Sequence, residues 1–432
     1  MILRLSDSLS RGLIVAIALA GGLVVSFFGV RTAIASYESE GDTATGLETA
    51  ARLEPNNFAY WYLLGRYQQY NLEQPDATLA EISYKRAIAL NPYATDAWLD
   101  LATAYELDGE AKQARQAYME AKKSYPGSAD VSWRYGNFLL RQGDQGDAYA
   151  ELRRAIDVDP LRAPAAFSRA YRTNPDIQDL LERLLPAKQD VYVGVIWEAL
   201  SAGQLAVAKT VWARLMTVHP QLQMRDVNHL VETLLQARDY SEARQVWDQG
   251  TATMRLPALF QPQTSVVWDP SFESGMRGQA FSWHYRALDQ GVSAGLDRSE
   301  ELSGKQSLRL VFDGRHNPEL EIACALGVVQ ASTTYRFSGW LKTKELTGDQ
   351  GIEFHLRSIE DSGTSTTWKS RQAIGTNPWT LFEQKLTTGP NVHQVQICVI
   401  REASANTDAH ISGTAWIDDV NLLPDSSEHG KP

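Results

Sequence analysis

The sequence has only two cysteines, Cys324 and Cys398, among its 432 residues. It contains no C-x-x-C pair, which argues against a thiolate metal site. Basic clusters are also lacking, since the formal net charge is -11 at pH 7 and the acidic residues are spread along the chain. Because phosphate backbones are bound by clustered Lys and Arg, this charge argues against a nucleic-acid partner.

Catalytic signatures are missing as well. The sequence shows no G-x-S-x-G, no P-loop and no H-E-x-x-H. Its paired carboxylates, such as Glu360 and Asp361, are neighbours in sequence. A glycoside hydrolase needs two carboxylates at a defined separation within a catalytic domain. We therefore expect a protein that binds and is not an enzyme.

Residues 12–30 read GLIVAIALAGGLVVSFFGV and carry no charge. Nineteen helical residues span about 28 Å, close to the hydrocarbon thickness of a bilayer. This predicts a single transmembrane anchor over 12–31, after a cytoplasmic segment 1–11 that contains Arg4 and Arg11. The remainder would lie outside the cytoplasm, as in a periplasmic protein held in a bacterial inner membrane.

A second interpretation of the N-terminus stays open. The tripeptide Ala33-Ile34-Ala35 has the A-x-A form of a signal-peptide cleavage site, so that cleavage before Ser36 is an alternative to a retained anchor. Both interpretations place the remainder of the chain outside the cytoplasm.

A 34-residue spacing separates Pro92, Pro126 and Pro160. Gly109 and Gly143 lie 17 residues before the second and third of these prolines, where the chain must turn between two helices. The period predicts an all-α solenoid of helical hairpins over 43–256. The cleanest unit has Trp98, Leu101, Ala102 and Tyr105 on its first helix and Ala114, Tyr118 and Ala121 on its second.

This pattern resembles the tetratricopeptide repeat, W-x2-L-G-x2-Y…A-x3-F…A…P. The stretch 161–190 breaks the register and is predicted to be an atypical hairpin or a bend, and 46–55 reads as a half-unit beside the anchor. The resemblance implies a protein partner bound in a groove built by the first helices. The residues assigned to that groove are Tyr62, Arg66, Gln69, Glu106, Trp133, Asn137 and Arg141. For Tyr62 and Trp133, packing between hairpins is the alternative.

After Pro257 the helical period ends, and short alternating segments separated by Gly, Asn, Asp and Ser begin. Seven such segments predict an all-β sandwich over 262–425, followed by a disordered tail at 426–432. The chain is therefore expected to be multi-domain: a transmembrane helix, an all-α solenoid and a C-terminal jelly roll. The predicted strands are Ser307–Asp313, Leu320–Leu326, Thr334–Thr343, Ile352–Ser358, Trp379–Thr388, His393–Arg401 and Thr414–Leu423.

Four motifs in order resemble the galactose-binding-like jelly roll of carbohydrate-binding modules. They are DPSFESG at 269–275, SGKQSLRL at 303–310, TYRFSGWLK at 334–342 and AWIDDV at 415–420. The resemblance implies a possible structural calcium ion with ligands from Glu273, Asp418 and Asp419, for which a strand-edge hydrogen bond without metal is the alternative.

The resemblance also implies a sugar-binding face. Strand alternation predicts that Trp340, His355, Arg357 and Gln396 share one polar face, which offers an aromatic ring and planar hydrogen-bonding groups. The alternative is that loops or the helical array cover this face.

The same alternation separates the cysteines. Cys324 has the parity of the apolar Leu320 and Ile322, whereas Cys398 has the parity of Gln394 and Gln396. The pattern predicts two separate thiols unless a β-bulge shifts the register.

Together these features predict a membrane-anchored, non-catalytic envelope scaffold that binds a protein through its repeats and a glycan through its sandwich. Bacterial proteins of this layout resemble accessory factors for exopolysaccharide or O-antigen assembly or export. Two alternatives remain: an envelope assembly factor that binds only protein, and a non-catalytic subunit of a glycan-processing enzyme.

Overall fold

The computed structural model describes residues 8–72, 75–254, 265–275, 278–285, 291–360, 365–406 and 410–425. The predicted features at 1–7 and 426–432 lie outside these residues. The chain divides into two compact units, Met1–Gly194 and Val195–Pro432, whereas the predicted solenoid runs over 43–256. The last three helices therefore belong to the same compact unit as the sandwich.

The first unit is helical. It contains α1 Ser8–Glu40, α2 Ala44–Leu53, α3 Phe58–Tyr70, α4 Ala77–Leu90, α5 Thr95–Leu107, α6 Ala111–Ser124, α7 Ala129–Arg141, α8 Gln145–Val158, α9 Ala163–Thr173 and α10 Ile177–Asp179. A 3-10 turn, Pro160–Arg162, precedes α9, and a π-helical turn, Leu180–Leu184, follows α10. The register break at 161–190 is thus an atypical hairpin. Helix α11, Gln189–Ser201, continues into the second unit.

Helix α1 contains both a long apolar segment and, near its end, a surface that packs against α2. Its segment Arg11–Glu40 is, within the described residues, the one helix long and apolar enough to cross a membrane, by length and composition. Farther along, Ala35 is buried against Leu47 and Ala50 of α2, and Arg31 forms an ion pair of 3.1 Å with Glu54. The predicted half-unit 46–55 is therefore the second helix of a complete hairpin whose first helix is α1.

Small residues let the helices of each hairpin approach closely. A Cβ on Gly65 would lie 2.7 Å from the ring of Tyr84, and a Cβ on Gly136 would lie 2.8 Å from Leu152. The turn glycine Gly109 has a φ of 77°, which L-residues rarely adopt, so the predicted turn position is confirmed. These contacts explain why the repeat restricts some positions to small side chains.

In the part of the second unit that the structure describes, the end of α11 and three further helices precede ten strands. The three further helices are α12 Leu205–Met216, α13 Met224–Gln236 and α14 Tyr240–Thr253. The strands are β1 His284–Tyr285, β2 Val292–Asp297, β3 Ser307–Asp313, β4 Leu320–Val328, β5 Thr334–Leu346, β6 Glu353–Glu360, β7 Thr367–Lys369, β8 Gly375–Thr387, β9 Val392–Arg401 and β10 Ser412–Pro424.

The strands form two five-stranded sheets. Sheet A has the order β1-β4-β9-β6-β7, and sheet B has the order β2-β3-β10-β5-β8. All seven predicted strands are confirmed. The sequence did not reveal β1, β2 and β7, because two of them are very short and β2, VSAGLD, contains a glycine that interrupts its apolar alternation.

Helix α14 shares a buried aromatic cluster with the start of the sandwich. Trp247 is fully buried, and its ring meets Trp268 edge to face at 5.1 Å and Phe281 at 5.8 Å between centroids. Arg244 Nη1 donates a hydrogen bond of 2.5 Å to the carbonyl of Val266. These contacts make α14 part of the packing of the sandwich.

The prediction of two separate thiols is wrong. Cys324 and Cys398 form a disulfide, and they are direct partners on β4 and β9 with their Cα atoms 4.1 Å apart. The register shifts between Glu321 and Ala323, so the parity of β4 changes and Cys324 leaves the core-facing side that Ile322 occupies. The disulfide lies on the outer face of sheet A.

Candidate binding surfaces

Asp100 joins three successive hairpins in the first unit. Its side chain is buried, and its Oδ2 accepts a hydrogen bond of 3.1 Å from Tyr62 Oη. Its Oδ1 accepts one of 2.9 Å from Arg134 Nη2, while Arg66 Nε lies 3.8 Å from Oδ2. Burial, followed by the charge of Asp100, raises the pKa of Tyr62, which keeps its hydroxyl a donor. The predicted groove residues Tyr62 and Arg66 are thus held by a common acceptor.

A second polar group lies farther along the same helices. Arg141 donates from Nε and Nη2 to the two carboxylate oxygens of Glu106, at 2.5 and 2.9 Å. The guanidinium groups of Arg162 and Arg169 lie 5.5 and 4.8 Å from the centre of the Trp133 ring. Burial and the neighbouring arginines lower the pKa of Arg169 from its ordinary value. Trp133 is therefore held between hairpins by cation–π contacts, as the packing alternative proposed.

Two of the predicted groove residues are not open to a partner. Gln69 is buried and accepts a hydrogen bond of 2.6 Å from Tyr84 Oη inside its hairpin. Asn137 is buried, donates from Nδ2 to the carbonyl of Trp133, and accepts a hydrogen bond at Oδ1 from Arg169 Nη1. Because both side chains are buried and bonded within the array through the oxygen of Gln69 and both polar atoms of Asn137, we remove both residues from the binding surface.

An open cleft of about 430 Å³ adjoins this network at the beginnings of α3, α5 and α7. Tyr62 lines it together with Tyr93 and Tyr125, of which the latter two are 79% and 58% exposed. Asp96 and Asp130 lie in its wall. The cleft thus offers exposed aromatic rings and carboxylates, which are suited to an extended peptide with basic side chains.

The outer face of sheet A gathers three of the four predicted sugar-binding residues. Arg357 pairs in register with Gln396, and His355 pairs with Cys398. Arg357 Nη2 also donates to Glu321, and His355 Nε2 lies 3.0 Å from Glu353 Oε1. Planar polar groups on a disulfide-linked sheet form a rigid surface for hydroxyl groups, although two of them already have carboxylate partners.

Trp340 does not belong to this face. It lies on β5 in sheet B, opposite Asp418 of β10, and its neighbours Gly339 and Leu341 are buried in the core. The two sheets pack with their core faces together, so their outer faces point in opposite directions. The prediction that Trp340 joins His355, Arg357 and Gln396 is wrong, because alternation along single strands does not show which sheet each strand enters.

A second tryptophan, Trp416, lies near Trp340 on the outer face of sheet B. Lys342 follows Trp340 by two residues on β5, and its register partner on β10 is Trp416. Trp416 donates a hydrogen bond of 2.9 Å from Nε1 to Asp297 Oδ2. The ammonium group of Lys342 lies 5.7 Å from the centre of the Trp416 ring. Sheet B therefore supplies the aromatic surface that was expected on the other face.

The three predicted calcium ligands do not form one metal-binding group within the described part of the chain. Glu273 Oε1 accepts N–H groups of Lys305 and Gln306 at 2.7 and 3.2 Å. Asp418 Oδ2 accepts the N–H of Leu302 at 2.8 Å, and Asp419 accepts from Asn421. A calcium ion shared by all three does not fit this arrangement, because their carboxylate oxygens already accept hydrogen bonds from backbone and side-chain N–H groups.

Two buried carboxylates of the sandwich have strongly shifted pKa values. Burial raises the pKa of Asp418 and of Asp269 to about 6. Asp269 accepts backbone N–H groups of Glu273 and Ser274, which only partly offset its loss of hydration. Both carboxylates hold loops together by accepting backbone N–H groups.

The sequence interpretation missed several polar residues that organise these surfaces. Asp100 and Arg134 lie beside buried leucines or tyrosines, and a charged residue inside so apolar a helix is the signal that would have revealed them. Glu353 and Glu402 were not singled out, because Glu402 follows the end of β9 and its proximity to β6 depends on strand pairing.

Comparison with known proteins gives one family match and several structural neighbours. The tetratricopeptide repeat family model matches residues 96–128. PilF of Pseudomonas aeruginosa is 22% identical over 46% of this chain and 78% of its own, with a TM-score of 0.25. A search of curated proteins gives no match.

The sandwich has counterparts among solved xylan-related modules. The CBM22-1 xylan-binding domain of Paenibacillus barcinonensis Xyn10C is 16% identical over 37% of this chain and 95% of its own, with a TM-score of 0.27. The CBM22-1–GH10 modules of Clostridium thermocellum xylanase 10B are 12% identical over 38% of this chain, with a TM-score of 0.28, and the match spans 30% of that chain.

The match of residues 96–128 to the repeat family model, together with the 34-residue period, identifies tetratricopeptide-like repeats in the helical region. The chain ends in a β-sandwich of two five-stranded sheets whose four ordered motifs resemble those of carbohydrate-binding modules.

Proposed function

We propose that this protein is a membrane-anchored, non-catalytic scaffold of the bacterial envelope, which binds a protein through its repeats and a glycan through its sandwich. The carrying observation is that two compact units each present a polar surface of their own, the Tyr62–Asp100 region in one and the outer faces of the sandwich in the other. A scaffold needs such separate recognition surfaces.

The cleft near Tyr93 and Tyr125 supports the protein-binding part. Exposed tyrosines supply contact area at little cost in side-chain entropy, and the fixed Asp100 network keeps the neighbouring helices in place. Asp96 and Asp130 favour a segment that carries Lys or Arg, because opposite charges set specificity across an interface.

Two features support the location. The apolar window of Arg11–Glu40 is 0% buried, which suits a helix that contacts lipid. The disulfide between Cys324 and Cys398 suits an oxidising compartment such as the periplasm. Cleavage after Ala35 would divide α1 within its packing against α2, so we favour a retained anchor with a cytoplasmic N-terminus.

Glycan binding is best tested on the full chain in detergent, with an array of bacterial envelope polysaccharides. We expect binding that the Arg357→Ala/Gln396→Ala double variant reduces at least about tenfold, which corresponds to about 1.4 kcal/mol. Arg225→Ala is the matched control, because Arg225 is an arginine of α13 whose side chain is 71% exposed and lies outside the sandwich. A Trp340→Ala variant tests sheet B in the same assay. If the wild-type chain binds no polysaccharide, the glycan part is refuted.

A purely protein-binding assembly factor is the second candidate. It is favoured by the ion pair of Arg357 with Glu321 and by the hydrogen-bond contact of His355 with Glu353, which occupy groups that a sugar would need. Under this candidate the array stays negative, while a partner crosslinked in cells is lost with Tyr93→Ala/Tyr125→Ala and retained with Arg357→Ala/Gln396→Ala.

The biological process is a further step of the proposal. We propose a role accessory to exopolysaccharide or O-antigen assembly or export, and a non-catalytic subunit of a glycan-processing enzyme is the alternative. Deletion of the gene followed by analysis of surface polysaccharide tests this role. Unchanged polysaccharide amount and chain length in the deletion strain would exclude it.

A further inference from the structure

Three ionisable side chains converge at one end of sheet A. His355 Nε2 lies 3.0 Å from Glu353 Oε1 and 3.9 Å from Glu402 Oε1. One ligand atom from each residue lies within 4.8 Å of the other two. The donor set is therefore one imidazole nitrogen and two carboxylate oxygens.

Strand pairing fixes where these groups lie. Glu353 and His355 are two residues apart on β6, so they share the outer face of sheet A. Their register partners on β9 are Ile400 and Cys398, and Glu402 follows the last residue of β9, Arg401. The disulfide of Cys398 with Cys324 ties β9 to β4 beside them. The three groups thus come from a rigid part of the sheet, as a preformed ligand site requires.

The charge of Glu353 is poorly compensated. Its side chain is 4% exposed, and among the described residues its hydrogen-bond partner is His355, whose side chain is 9% exposed. By contrast, the buried Asp418 receives backbone N–H groups from Leu302, Ser303 and Asp419. A buried carboxylate is costly unless a cation or several donors stabilise it. This position therefore favours a bound cation.

We propose that Glu353, His355 and Glu402 bind a divalent transition-metal ion, for which Zn²⁺ is the representative species. Zn²⁺ binds imidazole nitrogen and carboxylate oxygen at about 2.0–2.2 Å in tetrahedral geometry, which places ligand atoms about 3.4 Å apart. The distances of 3.0 and 3.9 Å from His355 Nε2 bracket that spacing. Calcium prefers six to eight oxygen ligands, so an imidazole in the set disfavours it.

The metal would enter past Glu402, whose side chain is 39% exposed. Lys369, whose side chain is 51% exposed, donates from Nζ to Glu402 Oε1. Its ammonium group competes with a metal ion for the same carboxylate. Removal of this lysine should therefore tighten metal binding, which is opposite to its effect in a simple ion-pair network.

The experiment uses the purified full chain, stripped with EDTA, and Zn²⁺ titrated by calorimetry. We expect one saturable site whose affinity falls at least about tenfold in Glu402→Gln and in His355→Gln, and rises in Lys369→Met. Glu402 is partly exposed, so we expect Glu402→Gln to fold. The proposal can therefore be tested with this variant even if the buried substitution His355→Gln prevents folding. His393→Gln is the matched control, because His393 is an exposed histidine of β9, the strand that pairs with β6.

Several outcomes would overturn the proposal: no saturable Zn²⁺ site in the wild-type chain, equal affinity in Glu402→Gln, or a loss in His393→Gln as large as in His355→Gln. Equal competition by Ca²⁺ would refute the assignment to a transition metal. The glycan assay uses Arg357 and Gln396 without added Zn²⁺, so the two proposals can fail separately.

Discussion

The two compact units are stabilised in different ways. In the first, each hairpin is closed by contacts between neighbours in sequence, such as Gly65 against Tyr84 and Gly136 against Leu152. In the second, residues far apart in sequence are joined, by a disulfide across 74 residues and by the cluster of Trp247, Trp268 and Phe281. A destabilising substitution in the repeats should therefore affect mainly its own hairpin, whereas one in the second unit should destabilise many strands and helices of that unit.

The largest effect is expected from Trp247→Ala. This change removes a fully buried ring that packs against Trp268 and Phe281, and it should cost about 3–5 kcal/mol of unfolding free energy. Hydrogen exchange should accelerate in sandwich strands as well as in α14. Trp197→Ala is the matched control, since Trp197 is 41% exposed. Faster exchange confined to α14 would contradict a shared core.

The next effect concerns the disulfide. The Cys324→Ala/Cys398→Ala variant should lose about 2–4 kcal/mol, because the bond restricts the unfolded chain. Thiol reductant should destabilise the wild-type second unit to a similar extent and leave the variant unchanged, as followed by denaturant unfolding. Equal destabilisation of residues 8–194 in hydrogen exchange would show that the units do not respond separately.

The stability of the second unit should also depend on pH. The pKa of Asp269 is raised by burial to about 6 in the folded state, from 3.8 when unfolded, so the folded state binds the proton more tightly. Its contribution is complete below about pH 4 and is lost as pH rises through 6, with at most about 3 kcal/mol involved. Asp269→Asn should flatten this part of the profile.

The control for that profile is Asp297→Asn. Hydrogen bonds from Ser299 and Trp416 lower the pKa of Asp297 to about 2, so its contribution disappears only in strong acid. Unfolding by urea between pH 4 and 7 measures both variants. A profile that Asp269→Asn leaves unchanged, or that Asp297→Asn flattens equally, would contradict the assignment to Asp269.

The smallest effect is expected within one hairpin. Gly136→Ala places a Cβ 2.8 Å from Leu152 Cγ and 3.0 Å from its backbone nitrogen, which should cost about 1–3 kcal/mol by overpacking. Hydrogen exchange should accelerate in α7 and α8 above all. Gly127→Ala is the control, because its nearest contact is the Tyr125 ring at 3.8 Å. Equal acceleration in the strands would remove the contrast between the units.

The repeats and the strands were largely predictable because each rests on a local period. The 34-residue spacing identified the hairpins, and alternation identified seven strands, since side chains in helices and strands repeat every 3.6 and 2 residues. The half-unit at 46–55 was harder to interpret, because its partner helix is the end of the apolar α1. A membrane-like composition concealed a packing surface there.

The candidate sites were less predictable. Tyr62, Arg66, Glu106 and Arg141 lie on the first helices of their hairpins, and their part in binding a partner stays a prediction. Gln69 and Asn137 are buried within hydrogen-bond networks. Trp340 was assigned to the wrong face, since strand parity does not tell which sheet a strand enters. Asp100 was not recognised, because its three partners come from helices more than 30 residues away along the chain.

By itself the sequence determined the apolar segment at 12–30, the helical period and the order of the strand motifs, because these depend on residues a few positions apart. Only the tertiary structure decided that Cys324 meets Cys398, that Trp340 and Arg357 lie on opposite faces, and that Glu402 approaches His355. Those outcomes depend on sheet order and on a bulge that shifts register between Glu321 and Ala323. A shift of one residue reverses the direction of every later side chain in the strand.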